Sequence, residues 1–92
     1  MISSSTRPRL ASKARLRFDR KSTRYMLLYP EKGLVLNDTA AAIVKLCTGE
    51  HTVESIIDQL AAMFASQSRE TIEREVQSFL GAIADRGLLE QP

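Results

Sequence analysis

The sequence predicts an α+β fold in which a three-stranded antiparallel sheet is followed by three helices. Between about residues 15 and 36 apolar residues follow the patterns of strands. From residue 37 onward they recur at the helical spacing i, i+3, i+4 and i+7. The length of 92 residues suits one compact domain with one core and is too short for two.

The first two strands differ in their apolar pattern. Leu16 and Phe18 alternate with charged residues, which predicts a strand with one buried face. After a polar loop at residues 20–24, the run at residues 25–29 is apolar on both faces, as is typical of a central strand. A turn is predicted at residues 30–33 from its composition, with Gly33 able to adopt a positive φ.

The third strand is predicted to be short and apolar, and comprises Leu34, Val35 and Leu36. In a meander it is an edge strand, and it carries no charge, whereas arginines on the first strand discourage strand addition. Such an edge is covered by the fold, paired in a homodimer, or open to a peptide that adds as a further strand. The pattern leaves these three alternatives open.

Each helix is predicted from an N-terminal cap and an apolar stripe. The predicted caps are Asn37, Thr52 and either Ser66 or Ser68. The stripe of the third helix comprises Ile72, Val76, Phe79, Leu80 and Ile83. Beside it lie small residues that could wall a groove, namely Ser78, Gly81 and Ala82.

The charge of the chain is unevenly distributed. Up to position 24 there are eight basic residues and one acidic residue, whereas five basic and ten acidic residues follow. Residues 1–13 are predicted to form a flexible basic N-terminal arm, since they offer little to bury, and residues 14–92 the folded domain. The basic region fits a solvated surface, or a contact with an acidic partner or nucleic acid.

Catalytic and metal-binding constellations are not predicted. Cys47 falls on the apolar stripe of the first helix and His51 in a loop, and neither has a neighbour that would complete a catalytic or metal site. We therefore expect no enzyme activity and no cofactor. One cysteine cannot form an internal disulfide, and no apolar run approaches a membrane span, so we expect a cytoplasmic protein.

Three stretches together resemble the PqqD family of pyrroloquinoline quinone (PQQ) biosynthesis. They are LLYPEKGLVLN (27–37), LCTGEHTVESI (46–56) and VQSFLGAIADRGLL (76–89), and the resemblance covers about residues 14–89. Departures from the family pattern are Lys32, which separates Glu31 from Gly33, together with Thr48 and Glu75 at positions where acidic residues and aspartate are frequent.

The resemblance implies a winged helix-turn-helix-like fold that recognises a ribosomally made precursor peptide. The peptide would be PqqA, escorted to the radical SAM enzyme PqqE, which cross-links a glutamate to a tyrosine of the precursor. It would add as a strand beside the third strand, in a groove walled by the third helix. The implied peptide-binding residues are Leu34, Val35, Leu36, Ile72, Glu75, Val76, Phe79 and Ile83.

Two alternatives remain beside this implication. Winged-helix domains bind DNA, but the second and third helices here are neutral to acidic, so the sequence predicts no nucleic-acid partner for them. The other alternative is a structural homodimer that pairs through the bare strand edge and would compete with peptide for it.

Overall fold

The computed structural model, which describes residues 2–90, contains five strands and three helices. Their bounds are β1 Arg9–Leu10, β2 Arg15–Asp19, β3 Arg24–Tyr29, β4 Lys32–Leu36, α1 Asp38–Leu46, α2 Val53–Met63, α3 Arg69–Asp85 and β5 Leu89–Glu90. The antiparallel sheet β2-β3-β4 followed by three helices confirms the predicted fold class. The comparison with winged helices is loose, because this whole sheet precedes the helices in the chain.

The three-stranded sheet buries one face against α1. Leu27 of the central strand is opposite both Leu16 and Leu34, and it has no exposed surface. Helix α1 packs against all three strands and contributes Ile43, which is also fully buried. Because side chains alternate along a strand, these leucines define the inner face of the sheet.

The turn between β3 and β4 differs from the prediction. Tyr29 pairs directly with Lys32, so the turn is Pro30–Glu31, and it is Glu31 that has a positive φ of 64°. Gly33 lies within β4 instead, where an added side chain would crowd its neighbours. A Cβ there would lie 3.1 Å from Cδ2 of Leu28, its cross-strand neighbour. Composition indicated a turn in this region but not which of its residues would adopt the left-handed conformation.

Side-chain caps start all three helices. Asn37 Oδ1 accepts a hydrogen bond from the Ala40 N–H at 2.8 Å. Thr52 Oγ1 and Ser68 Oγ accept equivalent bonds from residues three positions further on, at 3.0 and 3.2 Å. The predicted caps at Asn37 and Thr52 are confirmed, and Ser68 rather than Ser66 begins α3.

The N-terminal segment, for which composition predicted a flexible arm with little to bury, is folded against the helices in the structure. Pro8 is fully buried, and β1 pairs with β5 beyond the end of α3. The first N–H groups of a helix lack partners within it. Here the carbonyl of Thr6 accepts from the Val53 N–H at 2.8 Å, and that of Ser4 from the Glu54 N–H at 3.0 Å. The segment thereby provides main-chain acceptors for the first N–H groups of α2. Such main-chain contacts cannot be predicted from residue types.

Cys47 is the C-cap residue of α1 and belongs to the core. Its carbonyl accepts a hydrogen bond from the Leu10 N–H at 3.0 Å, which ties the N-terminal segment to the end of the helix. Burial raises the pKa of the Cys47 thiol to about 12, so at neutral pH the sulfur is protonated and shielded. None of the helices within residues 2–90 is both long and apolar enough to cross a membrane.

Substitution of Gly49 by alanine should destabilise the protein. Gly49 has a φ of +85°, which costs an L-residue about 1–2 kcal/mol, and it follows the bridge between Arg9 and Thr48. We expect the free energy of unfolding of Gly49→Ala, measured by urea denaturation, to fall by about that amount.

Gly81→Ala is the matched control, because Gly81 lies inside α3 and an added Cβ would meet no atom within 4 Å. Alanine there should stabilise the helix by about 0.5–1 kcal/mol. Equal effects of the two substitutions would contradict the assigned backbone conformation at Gly49.

The Cys47 thiol should resist alkylation in the folded protein. With its pKa raised from 9.0 to about 12, the reactive thiolate is scarce at pH 8. Iodoacetamide labelling followed by mass spectrometry should be slow in buffer and fast in about 8 M urea, which unfolds most proteins of this size. Rapid labelling of the folded chain would show that the end of α1 opens to solvent.

Candidate peptide-binding site

The free edge of β4 exposes main-chain hydrogen-bonding groups. Strand β4 is at the end of the order β2-β3-β4, and no other strand within residues 2–90 pairs with it. The closing pair of a two-residue hairpin, here Tyr29 and Lys32, is hydrogen-bonded, and bonded and non-bonded pairs then alternate. Leu34 therefore bonds to β3, whereas Gly33 and Val35 direct their N–H and C=O groups toward the open edge.

A groove of about 520 Å³ adjoins the end of this edge, between the start of α1 and the middle of α3. Asn37, which links β4 to α1, is one of its lining residues. The others are Thr39, Ala40, Ile43, Arg74, Glu75, Ser78, Phe79 and Ala82. A strand that continues along β4 therefore reaches a concave surface.

The groove has an apolar floor and a polar rim. Ile43 and Ala40 of α1 are buried, and Phe79 of α3 is half-buried and packs against the core. Arg74 is exposed at the rim, next to the half-buried Glu75. An apolar pocket with a few polar groups can bury apolar side chains and fix their orientation.

The strand residues predicted for the site lie at the edge but differ in exposure. Val35 is 59% exposed and points away from α1. Leu34 and Leu36 are on the inner face, half-buried and buried respectively. The same alternation directs the main-chain groups of Leu36 toward Tyr25 of β3, so Leu36 offers neither a side chain nor a free main-chain group to a peptide at the edge.

The predicted residues of α3 divide into two groups. Glu75 and Phe79 line the groove. Ile72, Val76 and Ile83 have no exposed surface and form the core, so the structure does not bring them to the groove. The stripe at i, i+4 and i+11 faces inward, and the groove is formed by the neighbouring face of the helix. Ser78 and Ala82, whose small size indicated a groove wall, lie on that face.

A wider groove of about 1250 Å³ lies between α2, α3 and the N-terminal segment, and Asn37, which places the smaller groove next to β4, does not line it. Its acidic residues are Glu54, Glu70, Glu73 and Asp85, and its basic residues are Arg69 and Arg74. Arg69 is held by Asp58 at 2.6 Å and by Glu73 at 3.3 Å, and the hydrogen bond to Asp58 is the main cause that raises its pKa. Such a surface repels phosphate, as the sequence of these helices predicted.

Groups capable of catalysis are dispersed in the described chain. Within residues 2–90, no cluster of three or more His, Cys, Asp or Glu side chains is placed to hold a metal. His51 Nδ1 lies 3.4 Å from the Gln59 amide nitrogen, and Cys47 is shielded in the core. The chemistry offered by the site is hydrogen bonding along an edge and burial of an apolar side chain.

Comparison with known proteins identifies the family. Residues 24–89 match the family model described as coenzyme PQQ synthesis protein D (PqqD). A "PqqA binding protein" of Rhodopseudomonas palustris strain BisB5 is 40% identical over 88 residues, which are 96% of this chain and 85% of the relative. The bifunctional coenzyme PQQ synthesis protein C/D of Methylorubrum extorquens is 35% identical over 98% of this chain, which spans 24% of that protein.

A solved structure shows the same fold. It is the solution NMR structure of the PqqD truncation of Methylobacterium extorquens PqqCD, described as a functional and stand-alone recognition element for ribosomally synthesised and post-translationally modified peptides. It matches 99% of this chain and 96% of its own with a TM-score of 0.82 and 34% identity. By sequence and by fold, the chain belongs to the PqqD family.

Proposed function

We propose that this protein is the PqqA-binding chaperone of PQQ biosynthesis, which captures the precursor by strand addition at β4 and presents it to the radical SAM enzyme PqqE. The observation that carries the proposal is the open edge of β4 beside the groove between α1 and α3. Family membership and the relatives named PqqA binding protein support a precursor peptide as the ligand.

Main-chain bonding provides the affinity that does not depend on peptide sequence. The outward N–H and C=O groups of Gly33 and Val35 lie in one line along the edge, so an extended peptide can exchange hydrogen bonds with both. An exposed edge of this kind also invites self-association, unless it is occupied or blunted. Lys32 at the start of β4 places a charge that discourages pairing between two copies.

Side-chain selectivity comes from the groove. Successive side chains of an added strand point to opposite faces, so alternate peptide residues face α3. One apolar residue among them can lie on the half-buried Phe79, while Arg74 and Glu75 select polar neighbours at the rim. We expect a peptide strand bound in this way to have a Kd of roughly 1 µM, about −8 kcal/mol.

The chain contributes binding rather than covalent chemistry in this proposal, since its one cysteine is protonated and buried. The cross-link in the precursor would be made by PqqE, and the bound strand would remain accessible from the solvent side. The single cysteine has no need of an oxidising compartment, and we place this function in the cytoplasm.

Proline at Val35 should weaken peptide binding without unfolding the sheet. Proline removes the outward N–H of Val35 and is tolerated at a strand edge. The loss of one hydrogen bond should cost about 1 kcal/mol, or roughly fivefold in the Kd for PqqA measured by calorimetry.

Two variants control this experiment. Val35→Ala retains the N–H and should bind PqqA within about twofold of the parent. Leu34→Pro removes a bond of the β3–β4 ladder instead and should lower the unfolding temperature. If Val35→Pro folds and binds as tightly as Val35→Ala, strand addition at β4 is wrong.

Filling the groove should block the peptide side chain that occupies it. Ala82 is exposed and lies where this groove adjoins the wider one, so Ala82→Phe adds a ring that reaches both, with little strain on the core. We expect the affinity for PqqA to fall about tenfold or more, while the fold is retained.

Ala62→Phe is the matched control, because Ala62 is exposed on α2 and lines neither groove. It makes the same change in helix propensity and surface hydrophobicity. Equal affinities of the two variants would exclude the groove from the peptide-binding site.

A further inference from the structure

The face of the sheet opposite α1 is apolar at its centre. We call it the outer face, formed by the residues that alternate with the buried leucines: Arg15, Arg17, Asp19, Arg24, Met26, Leu28, Gly33 and Val35. Met26 lies between Arg17 and Val35 in one cross-strand row, and Leu28 between Arg15 and Gly33 in the next. Val35 is 59% exposed, and Met26 and Leu28 are partly exposed.

Such a surface is unusual for a sheet that packs helices on one side. Antiparallel sheets of this type alternate apolar inward residues with polar outward ones, whereas a strand apolar on both faces is typical of sheets covered on both sides. Strand β3 has the second pattern, and α1 covers its inner face. The outer face therefore has the composition of an interface core surrounded by polar groups.

The polar groups around this apolar centre are mostly cationic. Arg15, Arg17 and Arg24 are exposed, and none of them takes part in the ion pairs formed within residues 2–90. Asp19, the one acid of the outer face, accepts hydrogen bonds from the Ser22 hydroxyl at 2.8 Å and from the Lys21 N–H at 3.2 Å. These bonds hold the pKa of Asp19 below its usual value and commit its carboxylate to the β2–β3 turn.

We infer that the outer face docks a second protein, whose surface presents an apolar patch rimmed by carboxylates, and that this protein is the enzyme that modifies the bound peptide. The inference rests on the proposed function for the identity of the partner. The arginines are complementary to carboxylates of the partner, and the apolar centre is complementary to its apolar patch. A second copy would present the same face, on which Asp19 is the one carboxylate and is already bonded within the β2–β3 turn, and phosphate backbones need no apolar centre.

The outer face and the peptide site meet at β4. A strand added at the edge lies next to Val35, so those of its side chains that point away from α3 extend the outer face by one strand. A docked enzyme would contact chaperone and peptide side by side. The peptide should therefore strengthen the association of the enzyme with this chain.

The test compares two double charge reversals. Arg15→Glu with Arg17→Glu changes the outer face, and Lys13→Glu with Arg86→Glu makes the same net change at exposed sites, with Lys13 beside Gly87 at the end of α3. Binding of each variant to purified PqqE, with and without PqqA, is measured by biolayer interferometry at low and high salt. Binding to PqqA alone is measured by calorimetry.

We expect the outer-face variant to bind PqqE about tenfold or more weakly at low salt, with the difference diminishing at high salt, and to bind PqqA like the parent. The Lys13/Arg86 variant should match the parent in both measurements. Retained PqqE binding by the outer-face variant, or equal losses in both variants, would overturn the proposal.

Other occupants give different results. If sedimentation shows a dimer of the parent that the Arg15/Arg17 variant abolishes, the face pairs two copies and the inference is wrong. The same holds for a shift of random duplex DNA that this variant abolishes. A parent chain that binds PqqA but not PqqE overturns the docking proposal and presentation to PqqE while precursor binding stands, whereas failure to bind PqqA overturns precursor binding itself.

Discussion

The connection between the sheet and the helices is a single residue, and the site depends on it. Leu36 ends β4, Asn37 caps α1, and Asp38 is already helical. With no loop to adjust the crossing, α1 must lie under the inner face, where Ile43 and Leu27 are fully buried. The open side of β4 is thereby fixed beside the start of α1, and α3 packs against α1 to form the second wall of the groove.

Helix α3 has two faces with different surroundings, one in the core and one at the groove. The inner face, with Ile72, Val76, Leu80 and Ile83, is completely buried and holds the helix in place. The adjacent face bears Phe79 over the core and small residues above it, so it can be shaped as a groove without loss of packing. Residues that line the groove and residues of the core thus alternate within one helix, and the two sets are in contact at Phe79, where their substitutions are expected to couple.

Local patterns gave accurate predictions where structure is decided locally. The strand at residues 15–19, the central strand and the caps at Asn37 and Thr52 follow from alternation and from side-chain oxygens that accept main-chain bonds. Local patterns could not predict whether Ile83 lies in the core or in the groove, because an apolar stripe looks the same in both cases. The burial of Pro8 could not be predicted from local patterns either, since its neighbours bond through main-chain carbonyls that every residue type carries.

The contacts of the N-terminal segment with α2 place few demands on side chains, because Ser4 and Thr6 supply only their carbonyls. Many different sequences can make the same bonds. The family model starts at residue 24, although β1 and β2 precede that position. A fragment that begins at residue 24 would lack β2, which pairs with β3, and would leave N–H groups in the first turn of α2 without their hydrogen-bond acceptors. Fragments made for expression should therefore include the N-terminal segment that is hydrogen-bonded to α2, and should not begin where the family model begins.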